Sequence, residues 1–437
     1  MDARGARALL DRFGGFIDRF TDCFSRRVQR TAASQYIEGL FNDSERKSMQ
    51  AMHGRLSDPI HYQALQHFIT HSPWPDKPLW DRLSEVIPDR RGILALDDTG
   101  LPKQGRHSVG VKRQYSGTLG KTGNCQVAVS SLLIGKDLVW PLGCELYVPH
   151  DWFDDARREE AGVPARLRFR EKWRMALAQV RAALKRGFQL TAVVTDADYG
   201  SIAAFRHGLE RLGLRYAVAI RSTLTMCRSG ARRTRTVAAV ANQIPARQWR
   251  RICWGHGTKG PLAARFVALR VRPRRSRGER WLLCERSLAK DERKYYLLNL
   301  DASASLNELV ALARCRWPIE QQYRELKDEL GWDHFEGRTY RGWNHHTVLT
   351  AVAFVFLQFE RRRAPDEPRP TLPHVRLWVR EIMAVLYIAS NRKLLNLLVD
   401  FQRNPPLRRW WSRPQRVVRT RTRQQPLIKP YVRVSRI

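Results

Sequence analysis

Two short apolar runs each pass directly into acids, and this feature most narrows what the chain can fold into. Gly92-Ile-Leu-Ala-Leu96 is followed by Asp97-Asp98-Thr99-Gly100, and Leu190-Thr-Ala-Val-Val194 by Thr195-Asp196-Ala-Asp198-Tyr-Gly200. A run of this length bounded by turn residues reads as a buried strand. Each strand therefore ends in carboxylates, which places at least one acid at the edge of a sheet. Between the two runs lies a stretch rich in glycine and cations, 103–117, which reads as a mobile basic loop. Two further apolar runs follow, 126–134 and 138–146, separated by Gly135-Lys-Asp137, and with the first strand they predict an antiparallel meander. Residues 166–188 carry Trp173, Leu177, Val180 and Leu184 on one face of a long amphipathic helix. After the second acidic run come a helix over 202–212 and a strand over 216–220.

A third stretch, 314–331, completes the pattern. Pro318 suits the first turn of a helix, where its missing N–H is not needed, and Gly331 suits the position just past the C-terminal end. Ile319, Tyr323, Leu326 and Leu330 form the apolar stripe of one buried face, and Glu320, Arg324 and Lys327 run beside it. Taken alone, such a charged row is more often a solvated face. The upstream acids change that reading. Three strands, a helix, a strand, a helix, a strand and further helices is the order of a ribonuclease H-like α/β domain. In that layout the first and fourth strands are neighbours, so Asp97 and Asp196 would lie side by side, with Glu320 arriving from the later helix. Crowded carboxylates repel one another unless a cation neutralises them. Oxygen ligands suit a hard cation such as Mg²⁺, and a pair of such ions suits in-line displacement at phosphorus. The attacker is then water, giving cleavage, or a DNA 3′-hydroxyl, giving joining.

Charge agrees with a nucleic-acid partner. The chain of 437 residues has a formal net charge of +36, which predicts a polyanion. A 43% hydrophobic content separates it from a basic disordered tail. No apolar run approaches the roughly 18–20 residues a membrane span needs, and 347–357 reads as a buried helix. The N-terminus lacks a signal-peptide apolar core, so a cytoplasmic protein without a membrane partner is expected. Seven cysteines without a C-x-x-C pair support neither a disulfide framework nor a zinc site.

The flanks read as helical. Leu9, Leu10, Phe13, Phe16, Ile17, Phe20 and Phe24 recur at helical spacing, and 45–55, 61–71 and 79–87 follow as short helices. Arg26, Arg27, Arg30, Arg46 and Lys47 among them suggest a helix-turn-helix reader, the other reading being a bundle that packs on the next domain. Near the C-terminus, 377–401 reads as helix. No acid follows Asp400, while arginines interleave with Trp410 and Trp411, a pattern that suits a nucleic-acid strap.

Asp97-Asp98-Thr99-Gly100, Ser108 to Gly117, Asp196-Ala-Asp-Tyr-Gly200 and Arg316-Trp-Pro-Ile-Glu320, in this order, resemble the DDE-type insertion-sequence transposases, more narrowly the seven-hundred-and-one family of bacterial insertion sequences, relatives of the family numbered four. The likeness covers roughly 90–360. It implies an α/β protein whose ribonuclease H-like catalytic domain (89–222 and 304–361) carries a β-rich insertion (223–303). That domain would follow an all-helical, DNA-binding N-terminal domain (1–88) and precede a helical segment with an Arg-rich tail (362–437). By resemblance Asp97, Asp196 and Glu320 are the catalytic, metal-binding triad. Asp98 is the alternative first acid, and Asp97 is favoured because an Asp-x-Thr order is the commoner form in the superfamily. Asp198 is read as a turn or cap acid. Arg316, Glu320 and Lys327 match the spacing of a Tyr, Arg, Glu, Lys signature, whose Tyr position here is Ala313. Arg316, Arg324, Lys327, Lys112 and Arg113 would bind DNA phosphate. His345 and His346 read as phosphate contacts or packing, and Trp249, Trp254 and Trp281 as core residues or a stack for a displaced base. The implied activity is Mg²⁺-dependent transposition, with Mn²⁺ as a substitute. The protein would bind terminal inverted repeats, cut at the ends and join 3′-hydroxyl ends to target DNA, as a homodimer or larger assembly on the nucleoid. A regulator that binds without cutting and a nuclease that cuts without joining are the rival readings.

Overall fold

The strand that begins with the apolar run 92–96 does not stop at its acids. The computed structural model describes residues 3–403 apart from 117–119, 232, 258–259, 275, 277, 364–369 and 391. In it β1 spans Arg91–Pro102, so Asp97 and Asp98 sit in mid-strand. They are held there by pairing with β3 (Lys121–Ile134), Asp97 opposite Ser130 and Asp98 opposite Val129. The basic stretch is likewise part strand, for β2 (Lys112–Ser116) pairs with the start of β3. β4 (Val139–Tyr147) closes the expected meander on β3.

β5 (Gln189–Thr195) then lies parallel to β1, and β6 (Tyr216–Ala219) parallel to β5. The order β4-β3-β1-β5-β6 contains the expected meander and makes the first and fourth strands expected from the sequence, β1 and β5, neighbours. Beyond β6 the sheet continues without a break. β7 (Thr225–Arg228) and β8 (Thr234–Thr236) pair with each other, and β7 joins β10 (Gly260–Pro273). β9 (Arg250–Gly257), β11 (Arg280–Arg286) and β12 (Arg293–Leu298) fill the rest, with β12 antiparallel to β6.

The helices begin with α1 (Ala3–Asp18), α2 (Arg27–Phe41), α3 (Met49–His53), α4 (Tyr62–Thr70) and α5 (Lys77–Val86). This segment is helical, as its periodicity predicts, yet it is not an all-helical domain in its own right. Its apolar faces close on the long α13 (Tyr340–Arg363), reached after α6 (Asp155–Glu160), α7 (Lys172–Lys185), α8 (Ala197–Gly200), α9 (Ala203–Arg211), α10 (Val237–Asn242), α11 (Leu306–Arg314) and α12 (Pro318–Arg324). Phe13 and Phe16 meet Phe356 edge-on and tilted, and Arg12 pairs with Glu360 at 2.6 Å. Trp74 stacks on His345 with ring centroids 3.4 Å apart. α13 is buried nearly all round from 345 to 358, the condition of a central core helix. The reason the N-terminal helices lack a core of their own is that their phenylalanines need α13 to be covered.

Several expected bounds shift for local reasons. The helix expected over 166–188 starts only at Lys172, because Pro164 to Leu167 form a turn closed by Leu167 N–H on the Pro164 carbonyl. The helix expected over 45–55 is a single short turn capped by the Ser48 hydroxyl. The C-terminal helix is two, α14 (Leu372–Ser390) and α15 (Arg392–Arg403). Compactness divides the chain into 1–387 and 388–437. The arginine–tryptophan strap expected around Trp410 and Trp411 lies outside the described residues. Among the described residues no helix is long and apolar enough to cross a membrane.

Tyr36 shows how the helical layer is tied down. Its hydroxyl is 2.8 Å from His346 Nδ1, while His346 Nε2 donates to the Trp332 carbonyl, the whole chain of bonds being buried. Tyr36→Phe leaves a buried ring nitrogen without its partner and is expected to cost about 1–3 kcal/mol, read as a lowered urea midpoint at unchanged slope.

Candidate active site

Pleating sends Asp97 and Asp98 to opposite faces of β1, and the two faces are covered by different helices. On the Asp97 face lies α12. Arg316, just ahead of it, donates Nη1 to Asp97 Oδ2 at 2.6 Å and Nη2 to Glu320 Oε1. Further along, Tyr323 shares a buried 2.7 Å bond with Ser130, and Lys327 donates to Thr99 Oγ1 at 2.8 Å and to the Gly100 carbonyl. The helix is thus fastened to alternate positions of β1 and to the facing residue of β3.

The regular helix expected to Gly331 changes form on the way. From Glu325 to Glu329 it is a π-helix, and Gly331 ends it at φ 64°. A π turn holds more residues per turn than an α turn, so the faces after it rotate. Lys327, expected in the charged row with Glu320 and Arg324, is consequently buried against the sheet, while Arg324 stays exposed. Burial lowers the pKa of Lys327. To reach a phosphate it would have to leave Thr99 and Gly100.

The other face carries a supporting network. Asp98 Oδ2 accepts from the Tyr199 hydroxyl at 2.9 Å and pairs with Lys172 Nζ at 2.8 Å. Lys172 opens α7, and nothing in the sequence distinguished it from its neighbours. Tyr199 belongs to α8, the short turn that Asp196 caps, with Asp196 Oδ1 accepting from the backbone N–H of Asp198 and of Tyr199. Asp98 therefore anchors the turn that presents Asp196. Asp198 itself points out to Arg221 at 2.7 Å. The pairing of Leu96 with Thr195 places Asp97 and Asp196 one step further along adjacent strands. Gly200 lets α8 approach β6, since a Cβ there would lie 2.0 Å from the Ala219 carbonyl.

Burial and crowding act on both strand acids. Burial pushes the Asp97 carboxyl up to about 7; Arg316 opposes this, while Asp196 and Asp98 add to it. Asp196 is raised as well, by burial and then by Asp198 and Asp98. Among the described residues no three His, Cys, Asp or Glu side chains are drawn together closely enough to hold an ion. The charge between Asp97 and Glu320 is supplied instead by Arg316. The donor set is nevertheless one of carboxylate oxygens, which suits a hard dication, and added positive charge would relieve the repulsion that raises Asp97 and Asp196.

Asp196, Arg316 and Glu320 line a cavity of about 690 Å³ whose wall also includes Arg293, Lys294, Arg314, Trp254 and Trp317. Trp317 is 58% exposed, an unusual state for so large an apolar ring, although it directly precedes the proline of the helix. Trp254 carries the Arg314 guanidinium 4.1 Å above its ring, and Arg314 pairs with Glu285. Trp249 and Trp281 lie under Arg286 and Arg270. Of the loop cations, Lys112 pairs with Asp151 at 3.0 Å and Arg113 is exposed. His345 and His346 are buried against main-chain carbonyls, and burial lowers them to about 4 and about 3.

The family described as DDE superfamily endonuclease matches residues 19–261, and the family described as transposase DDE domain matches 170–356. The first match includes Asp97 and Asp196, and the second includes Asp196 and Glu320. A probable transposase for insertion sequence element IS701 from Microchaete diplosiphon is 32% identical over 216 residues, 47% of this chain and 54% of that protein. The chain spans about half the length of the curated relative it matches.

The raised carboxyls fix a pH dependence. In the unfolded chain Asp97 ionises near its ordinary 3.8, while in the folded protein it holds its proton to about 7. The folded state thus binds the extra proton, and stability falls as pH rises between these values. In metal-free protein the stability of Asp97→Asn relative to wild type should climb from about pH 4 to about pH 7 and then level off. Paired thermal melts across that range would show it, and a flat difference would remove the case for a protonated Asp97.

Proposed function

This chain belongs to the DDE superfamily of endonucleases, and we propose that it is a DNA transposase that cuts at the ends of an element and joins them to target DNA. The observation that carries the reading is the pairing of both Asp97 and Glu320 with Arg316, which lines a cation-rich cavity together with Glu320 and Asp196. The bonds of Asp98 to Lys172 and Tyr199 support Asp97, and not Asp98, as the reacting acid.

Asp97, Asp196 and Glu320 would hold divalent metal, Mg²⁺ by the hardness of the donors and Mn²⁺ as a substitute. Such metal supplies charge to the attacking and leaving oxygens of a phosphoryl transfer. The chain's own residues do the rest. Arg316 neutralises two of the acids and faces the cavity, where it is placed to meet a phosphate oxygen. Arg293, Lys294 and Arg314 favour an anionic backbone there. Asp196 is oriented by two backbone N–H donors, so its second oxygen is presented in a fixed direction. Asp98, Lys172 and Tyr199 hold that turn in register with β1. Lys327 belongs to the same reading as a residue that secures the helix and, when freed from Thr99, as a phosphate contact. Arg324, Lys112 and Arg113 are further phosphate contacts, and α1–α5 are the candidate reader of the inverted repeats. Two ends must be joined, which calls for a dimer or larger assembly on the bacterial nucleoid.

Ala in place of Asp97, Asp196 or Glu320 should lower Mg²⁺-dependent cleavage of a linear DNA bearing the flanking inverted repeats at least a hundredfold, the scale of a lost electrostatic group, and leave end binding intact. Gel assays of released and joined ends read this out. Cleavage without joining by wild type would make the protein a nuclease. Binding with no cleavage would make it a regulator.

A further inference from the structure

Four arginines stand in one row across the outer half of the sheet. Arg251 of β9 is paired with Arg265 of β10, Arg265 with Arg286 of β11, and Arg286 with Arg293 of β12. Residues directly opposite in antiparallel strands project from the same face, so all four guanidiniums emerge on one side. With strands about 4.8 Å apart, the row is about 14 Å long.

Like charges directly opposite one another destabilise a sheet, and here three such pairs occur in succession. Among the described residues none of the four meets a carboxylate. Arg293 donates to the Asn242 side-chain oxygen, Arg286 lies over the Trp249 ring, and the Arg286 Nε is buried without a hydrogen-bond partner. Arg251 and Arg265 are exposed. The neighbouring positions of opposite parity, Glu285 and Tyr296, instead satisfy each other and Arg314 under α11. Acids are thus used to neutralise arginine on that face and are missing from the row.

The row ends at Arg293, which lines the cavity that holds Asp196 and Glu320. We infer that the Arg251–Arg265–Arg286–Arg293 ladder is a binding track for the phosphate backbone of duplex DNA, on the face of the outer sheet opposite α11 and reaching the cavity wall at Arg293. Its length matches about four base pairs at 3.4 Å per step along one strand. The inference rests on the transposase reading for its ligand, and adds the surface that takes the DNA beyond the reacting phosphate. A protein partner with an acidic strand is the alternative occupant, and the test separates the two.

The experiment uses the full-length chain and a fluorescein-labelled duplex without inverted repeats, titrated by anisotropy at several salt concentrations. The double variant Arg251→Gln/Arg265→Gln should bind at least about tenfold more weakly at low salt, with the slope of log affinity against log salt reduced by about 1–2. Arg251→Lys/Arg265→Lys, which keeps the charge, should retain most of the slope. The Gln variant should melt at the same temperature as wild type or higher, since it loses a like-charge pair. An unchanged slope and affinity in the Gln variant, with wild type binding duplex and cutting ends normally, overturns the track and leaves the transposase reading standing. Wild type that neither binds duplex nor cuts ends overturns that reading, and the track with it. A Gln variant that binds duplex normally yet loses affinity for an acidic peptide assigns the ladder to a protein partner and rejects the track.

Discussion

The Arg316 guanidinium, held between Asp97 in mid-sheet and Glu320 on the following helix, is the interaction on which the site depends. Two carboxylates from segments far apart in sequence approach one cation, and the cation is what makes their approach tolerable in a place where burial already penalises charge. Because Arg316 sits one turn ahead of Glu320, the same short segment supplies both the acid and its neutralising partner. The helix then has to be fixed in rotation, or Glu320 would drift from the strand acids. Tyr323 on Ser130 and Lys327 on Thr99 and Gly100 provide that fixation.

Behind β1 a second arrangement does for Asp196 what the helix does for Glu320. Asp98 binds Tyr199 and Lys172, so the carboxylate adjacent to Asp97 holds a turn and the start of α7. This gives the two consecutive acids different work through pleat geometry alone. It also explains why Tyr199 and Gly200 follow Asp196. The tyrosine reaches back to β1, and the glycine allows the turn to close on β6.

The rest of the chain serves this geometry at longer range. α13 is the shared core for the sheet and for the N-terminal helices. Through His346 it links Tyr36 on α2 to the Trp332 carbonyl, close behind the end of the helix that carries Glu320. The outer strands extend the sheet past β6 and contribute Trp254 and Arg293 to the lining of the cavity that Asp196 also lines.

Local chemistry was written in the sequence: the strands that run into acids, the amphipathic stripe of Ile319, Tyr323, Leu326 and Leu330, the glycine that ends it, and the helical spacing of the N-terminal phenylalanines. The strand order that makes Asp97 and Asp196 neighbours followed from these elements, because βαβ connectivity leaves few ways to arrange them. What periodicity could not carry was decided by packing between distant segments. β1 continues through its acids because β3 offers a long partner, and no local residue signals that length. The N-terminal helices lose their independence because their apolar faces are covered only by α13. Lys327 leaves the charged row because a π turn rotates it inward, and Lys172 gains its role only when α7 lies across β1. The arginine ladder is likewise invisible in sequence, since its members come from four strands and meet only through register.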